Sequence, residues 1–259
     1  MPFTPAHVVA VLPLLGARAR RLPLDPTCLA IGAMAPDFEY FVRGRQVGEL
    51  SHSWLGLAVF CVPMTLVLAL VFHRVVKTPA LRLMPAAVSA RLVPALAAPW
   101  PAAPAWRAVP AAAASAALGA TTHLVWDGFT HGRGVITQRV PALLAPVEVP
   151  GLGTMALCRV LQHASTVVGL GVLVGWLVRR RWPAPVAVPT AARARGYLVT
   201  VLAIAVGVAL LTAYTIARGG RRGPSVGDHV VALIAGGLWG VVVAAVILRA
   251  PAQAWRDKI

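Results

Sequence analysis

The sequence predicts an all-α membrane protein: a polytopic helix bundle of about five spans, with short N-terminal helices that lie in the interface or re-enter the bundle. Three observations carry that prediction. The 259 residues are 58% hydrophobic and only 12% charged, with a mean hydropathy of +0.75, whereas soluble domains are roughly half apolar and a quarter charged. Several stretches reach or approach the ~20 apolar residues that cross a bilayer. The basic residues, 24 Lys and Arg against 8 Asp and Glu, sit in short clusters flanking those stretches, without the interleaved aromatics of a nucleic-acid surface. Nucleic acid is therefore not expected as a partner, and anionic membrane lipids are.

In chain order, Thr4 followed by Pro5 reads as an N-cap with proline in the first turn, starting a short helix that Pro13 bends or ends. A second short helix begins at Asp25 or Thr27 and runs to about Met34, where Pro36 breaks it. Both are too short to span. Arg18, Arg20 and Arg21 follow the first apolar stretch instead of preceding it, so that stretch does not read as a secretory signal and is expected to be retained. Residues 54–72, 197–217 and 230–248 are clean apolar runs ending at or near basic residues. Residues 165–178, extended back through Val160, stop against Arg179, Arg180 and Arg181. The Ala-rich run 111–129 is the least hydrophobic span and is expected to be shielded by the others. Residues 79–110 hold seven prolines and predict irregular structure or short interfacial helices, with Trp100 and Trp106 at headgroup level. Cys28, Cys61 and Cys158 are an odd, irregularly spaced set and read as small core residues. Gly171-x3-Gly175 and Gly236-x3-Gly240 are candidate sites of close helix approach. The chain divides into residues 1–180, a His/Asp-bearing domain with three spans, and residues 181–259, two further spans of the same bundle.

Alternating the five spans puts segments 1–53, 130–164 and 218–229 on one side of the membrane. The other side collects 13 of the 24 basic residues, so the positive-inside rule points the first side outward. That side carries the residues able to do chemistry. In THLVWDGFTH, His123, Asp127 and His131 stand four apart, about 40° from one another around a helix, and share one face. Gly128, Gly132 and Gly134 end the helix nearby and free His131 to turn in or out. His7, Asp37, His52 and His163 reach the same side from four other places in the chain. Imidazole plus carboxylate suits zinc, and also manganese or iron. A lone histidine at a helix end is more often a cap or an interfacial residue. Asp127 resists that reading, because a carboxylate near a helix C-terminus faces the unfavourable pole and needs a cation beside it, Arg133 or a metal ion. His73 reads as an interfacial anchor, and Asp228 with His229 as the capped start of the last span.

The motifs MPFTPAH, GAMAPDFEYF, SHSWLG, the basic HR after the first span, HLVWDGFTH and LQHAST, in that order, resemble a bacterial family of integral membrane proteins known only as a domain of unknown function. The resemblance covers about residues 1–180 and implies a multi-pass protein of the bacterial cell membrane. More distantly, the order of groups is similar to that of membrane-bound metal-dependent hydrolases and zinc-dependent phospholipases C. That similarity implies metal ligation by His7, Asp37, His52, His123 and Asp127, with His131 and His163 as further ligands. The phospholipase pattern also has a second helical pair, His-x3-Glu, where this chain has Val167 four residues after His163. One or two divalent ions, zinc above all, are therefore expected rather than three. The expected activity is hydrolysis of a lipid or phosphoester at the membrane surface, with Arg43, Arg45 or Arg133 holding an anionic headgroup. The alternative is a non-enzymatic membrane protein in which a metal or a hydrogen-bonded His/Asp cluster ties the N-terminal helices down, as part of a transporter or an assembly.

Overall fold

The structure is a computed structural model that describes residues 3–15, 22–85, 87–89, 92, 100, 105–179, 193–218 and 223–249. Among them, five helices are long and apolar enough to cross a membrane: Trp54–Leu83, Ala108–Thr130, Leu157–Arg179, Ala194–Arg218 and Val226–Ile247. The contacts group the chain into two compact units. One comprises Met1–Phe38, Gly48–Leu66 and Ala105–Arg180, and the other Glu39–Val47, Val67–Pro104 and Arg181–Ile259. Residues 39–47 and 67–104 thus group with the C-terminal spans.

The first unit opens with a 3-10 helix, Thr4–Leu15, that runs through Pro13 instead of ending there. Pro13 is exposed. Three residues per turn eclipse positions three apart, so Thr4 and His7 stack on one face, and both are buried. Helix α1, Pro26–Gly32, starts where Asp25 accepts the backbone N–H of Cys28. A 3-10 turn, Ala35–Asp37, follows and leads into α2, Phe38–Arg43. Ser53 caps α3, the composite helix Trp54–Leu83, by accepting the Gly56 N–H. Helix α4, Ala105–Thr130, buries Ala112, Ala116, Ala120, His123 and Asp127, a stripe at intervals of three and four that continues the core into the polar residues. Small residues let α1 and α4 touch backbone to backbone. A Cβ on Gly119 would lie 2.4 Å from the Leu29 carbonyl oxygen, and one on Gly32 would lie 2.5 Å from that of Ala116. A hairpin of β1, Pro146–Val149, and β2, Gly153–Ala156, pairs antiparallel and delivers the chain to α5, Leu157–Arg179. Gly169 of α5 receives Ala6 of the 3-10 helix. All three cysteines are buried, and no disulfide links them.

Helix α3 departs from expectation in length. Its apolar run was expected to stop near His73, but it continues to Leu83. Two π turns, Leu57–Cys61 and Phe72–Val76, interrupt it. The helix restarts after the second, so Pro79 falls in a first turn, where a missing N–H costs least. In the second unit, His73 stacks on Trp100 with ring centroids 4.9 Å apart. Residues 105–110, expected within the proline-rich connection, already belong to α4, with Pro110 inside the helix; residues 86, 90–91, 93–99 and 101–104 and the side chain of Trp106 lie outside the described residues. Helices α6, Arg193–Arg218, and α7, Val226–Ile247, pack through glycine: a Cβ on Gly207 would lie 2.4 Å from the Gly236 oxygen, and one on Gly240 would lie 2.4 Å from the Ile204 Cα. Gly171 and Gly175 meet nothing within 4 Å. Ser225 and Asp228 form a capping box at the start of α7, and the His229 Nδ1–H reaches the Ser225 carbonyl at 2.9 Å, which makes that pair structural.

Candidate metal centre

Six of the seven expected ligands come together, four histidines around the two carboxylates Asp37 and Asp127. The 3-10 helix supplies His7, the turn after α1 supplies Asp37, the residue before the Ser53 cap is His52, and α4 supplies His123 and Asp127. His131 joins from the turn beyond α4. His163 does not join. It is exposed on α5, whose buried positions are Cys158, Gln162 and Gly169, so one residue beyond Gln162 points about 100° away from that face.

Asp127 is the hub. Its Oδ2 lies 3.3 Å from His123 Nε2 and 3.6 Å from His52 Nε2, while its Oδ1 lies 3.4 Å from His131 Nδ1 and 3.6 Å from His7 Nε2. Asp37 Oδ1 lies 3.6 Å from His123 Nε2 and 3.7 Å from His52 Nε2. His7 and His123 stack with centroids 3.7 Å apart, and Trp126 meets His7 edge-on. Donor atoms converge most closely in two groups, His7 with His123 and Asp127, and Asp37 with His52 and His123, each within 4.8 Å. The cation that Asp127 needs at the end of its helix is therefore not Arg133, which is exposed; among the described residues its ion pairs are all with histidines.

Outer contacts orient the cluster. The His123 Nδ1–H donates to the Ala33 carbonyl at 2.8 Å, leaving Nε2 as the lone pair that faces the carboxylates. Ser51 Oγ lies 3.0 Å from His52 Nδ1, and the Thr4 hydroxyl donates to Asp37 Oδ2 at 2.6 Å. Sequence reading missed Thr4 as a site residue because a helix cap explained it fully; a three-residue period linking it to His7 was the available signal. His131 turns inward because the chain folds back over the last turn of α4. Thr137 donates to the Gly128 carbonyl at 2.9 Å, and a Cβ on Gly134 would lie 2.4 Å from that same oxygen. Thr4→Val is expected to cost about 1.5–3 kcal/mol of stability, the worth of a buried hydrogen bond to a charged group. Thermal unfolding in detergent reads it, and a change below about 0.5 kcal/mol would show that the hydroxyl contributes nothing.

The chain matches a protein family over residues 1–246. It belongs to DUF4184, a domain of unknown function. Nearly the whole DUF4184 chain is matched, so the last two spans belong to the family domain along with the cluster. No curated protein and no solved structure matches it.

The two carboxylates are nearly inaccessible, Asp37 at 0% and Asp127 at 6% exposure. Burial and then His123 push His7 down to about 3, which keeps it neutral. Burial also pushes His52 down, but Asp127 and Asp37 more than reverse this and raise it to about 9. Burial holds His131 below its ordinary value against the pull of Asp127. Near neutral pH the site therefore presents neutral imidazoles at His7 and His131, and a proton at His52 that another cation would displace.

Proposed function

We propose that this DUF4184 protein is a metal-dependent hydrolase, of the zinc type, acting on a lipid or phosphoester at the membrane surface. One observation supports a metal above all. His7 Nδ1 and Nε2, Asp37 Oδ1, His123 Nε2 and both oxygens of Asp127 are buried without a hydrogen-bond partner among the described residues, and each such atom costs about 1–3 kcal/mol unless something satisfies it. Separations of 3.3–3.7 Å between imidazole nitrogens and carboxylate oxygens are too long or too poorly aligned for hydrogen bonds. They come close to the roughly 3.0–3.6 Å between neighbouring ligands of one ion with bonds near 2.1 Å. The donor set of neutral imidazole and carboxylate suits zinc, manganese or iron.

His123, with Asp37 and His52 on one side and His7 and Asp127 on the other, would hold the ion, and His131 stands beside it. A bound divalent ion there would lower the pKa of a water ligand toward neutral and polarise an ester or phosphoryl oxygen. The chain itself contributes orientation, through the Ala33 carbonyl, Ser51 and Thr4, and exclusion of water around Asp37 and His123. Access is at the edge formed by His131 and His52, whose side chains are 31% and 19% exposed. Arg133, exposed two residues beyond His131, is the guanidinium for an anionic headgroup; Arg43 is already paired with Glu39 at 2.8 Å. The positive-inside count supports a reading in which this edge faces outside the cell.

The second reading, a structural metal, draws on the complete burial of His123 and Asp37. Transport fits less well, because the cluster lies at span ends and transport sites usually lie near the midplane. Metal analysis of protein purified in detergent without chelator, followed by a screen of the loaded protein against phospholipids and phosphoesters, tests both. Metal with turnover supports the hydrolase, metal that only stabilises supports the structural role, and stable protein without metal sinks both. Affinity should rise with pH through the neutral range and level off near pH 9, because below that value an ion must displace the His52 proton, at about tenfold per unit for one proton released. Equal affinities at about pH 6 and pH 8 would contradict this assignment.

A further inference from the structure

We propose that the second unit holds a phosphate group between Arg45 and Arg218, supplied by the headgroup of a membrane lipid or by free phosphate. A cavity of about 60 Å3 lies where α6 ends and α7 begins, lined by Arg45, Tyr214, Arg218 and Asp228 among others. A water molecule occupies ~30 Å3 in the liquid, so the space suits one oxyanion group and not a sugar or a base. The cavity shares no residue with the His/Asp cluster, and the inference does not depend on the metal reading.

The charges in the lining leave an excess. Asp228 is fully engaged: its Oδ1 accepts the Gln46 N–H at 3.0 Å, and its Oδ2 accepts the Ser225 N–H at 3.0 Å and the Ser225 hydroxyl at 2.9 Å. Among the described residues Arg45 and Arg218 form no salt bridge, whereas Arg43 is taken by Glu39 at 2.8 Å. Two guanidiniums against one carboxylate leave one positive charge. Arg218 is also held in place. Its Nη1 donates to the Tyr214 hydroxyl, and its guanidinium carbon lies 5.2 Å from the centre of the Tyr214 ring. That contact fixes the fork while its remaining N–H groups stay available, and such forks match the paired oxygens of a phosphate. Gly44, at φ +61°, turns the chain after α2 and brings Arg45 to the cavity. Depth points to the same ligand. Arg218 and Val226 are the last and first residues of helices long and apolar enough to span, which puts the cavity at the level of headgroup phosphates, where tyrosine also concentrates.

The test is retention. Delipidated protein in detergent is incubated with phosphatidylglycerol, with diacylglycerol or with inorganic phosphate, and bound molecules are counted by native mass spectrometry. The natural chain should retain phosphatidylglycerol or inorganic phosphate, and should not retain diacylglycerol, which lacks the phosphate. Lipid that stays bound in excess phosphate marks a headgroup site; phosphate that stays bound while the lipid washes off marks a free-anion site. Arg45→Gln and Arg218→Gln should each weaken binding about tenfold or more, the loss of a hydrogen bond to a charged group, and melt with the natural chain. Arg249→Gln, at an exposed arginine just beyond the other end of α7, should bind as the natural chain does. Retention of neither phosphate-bearing probe, equal retention of diacylglycerol, or natural affinity in either of the first two variants would overturn the site.

Discussion

Protein carrying Asp127→Asn is expected to leave purification with no bound metal, while Asp228→Asn retains the full amount. Asn keeps the shape of the side chain and one acceptor oxygen but loses the charge, and the second oxygen becomes an N–H2 aimed at imidazole nitrogens that need a lone pair or a cation opposite them. Asp127 is the single group within 3.6 Å of His7, His52, His123 and His131 together. The loss should exceed the roughly 10–100-fold in affinity that removal of an outer partner costs. Asp228 caps α7 and accepts the Gln46 N–H at 3.0 Å and has no part in the cluster, so it controls for losing a carboxylate elsewhere. Elemental analysis of the two variants beside the natural protein reads the result. Metal retained at the natural level by Asp127→Asn would show that the carboxylate is not a ligand.

Gly119→Val is expected to remove both stability and metal, although residue 119 has no side chain near the cluster. The added Cβ would sit 2.4 Å from the Leu29 oxygen, 2.6 Å from the Ala33 nitrogen and 2.9 Å from the Gly32 carbon. These are all backbone atoms, so α1 itself must move. Forced overpacking of this kind costs about 1–3 kcal/mol and occasionally more. Any shift of α1 also carries the Ala33 carbonyl off the His123 Nδ1–H, freeing the ring that both converging donor groups share. Gly171→Val is the control, since a Cβ there meets nothing within 4 Å. A Gly119→Val protein that melts with the natural one and binds metal equally would refute the coupling between helix packing and site.

Hydropathy alone located all five spans, because a run of apolar residues long enough to cross lipid leaves little alternative. The convergence of His7, Asp37, His52, His123 and Asp127 was legible one step further on, since alternating spans bring distant segments to one side. Rotation about a helix axis was not legible at that level. His163 and Gln162 are neighbours at the same end of α5, yet only Gln162 is buried, and the sign of that difference rests on Gly169 accepting Ala6. Thr4 was hidden by backbone geometry: a 3.6-residue period does not stack it on His7, and a 3.0-residue period does. The outer partner of His123 is a main-chain carbonyl at Ala33, and no residue identity advertises a carbonyl. The continuation of α3 past His73 was missed because His73 and Arg74 read as the basic end of a span and the prolines from Pro79 as a connection, whereas Pro79 falls in the first turn after a π turn.

That π turn has a twin at Leu57–Cys61, where the Val62 N–H reaches back to the Leu57 carbonyl. A π turn is equivalent to one residue inserted into an α-helix. Deleting one residue between 57 and 61 would restore ordinary winding without cutting the helix or touching Ser53 and His52, which lie upstream. Because the extra residue is taken up within the turn, the positions beyond it would keep their faces, with Thr65 still in the interior. A one-residue gap at this place in an alignment is therefore a change the span tolerates, whereas the same gap in the α-helical stretch Val62–Val71 would turn everything beyond it by about 100°.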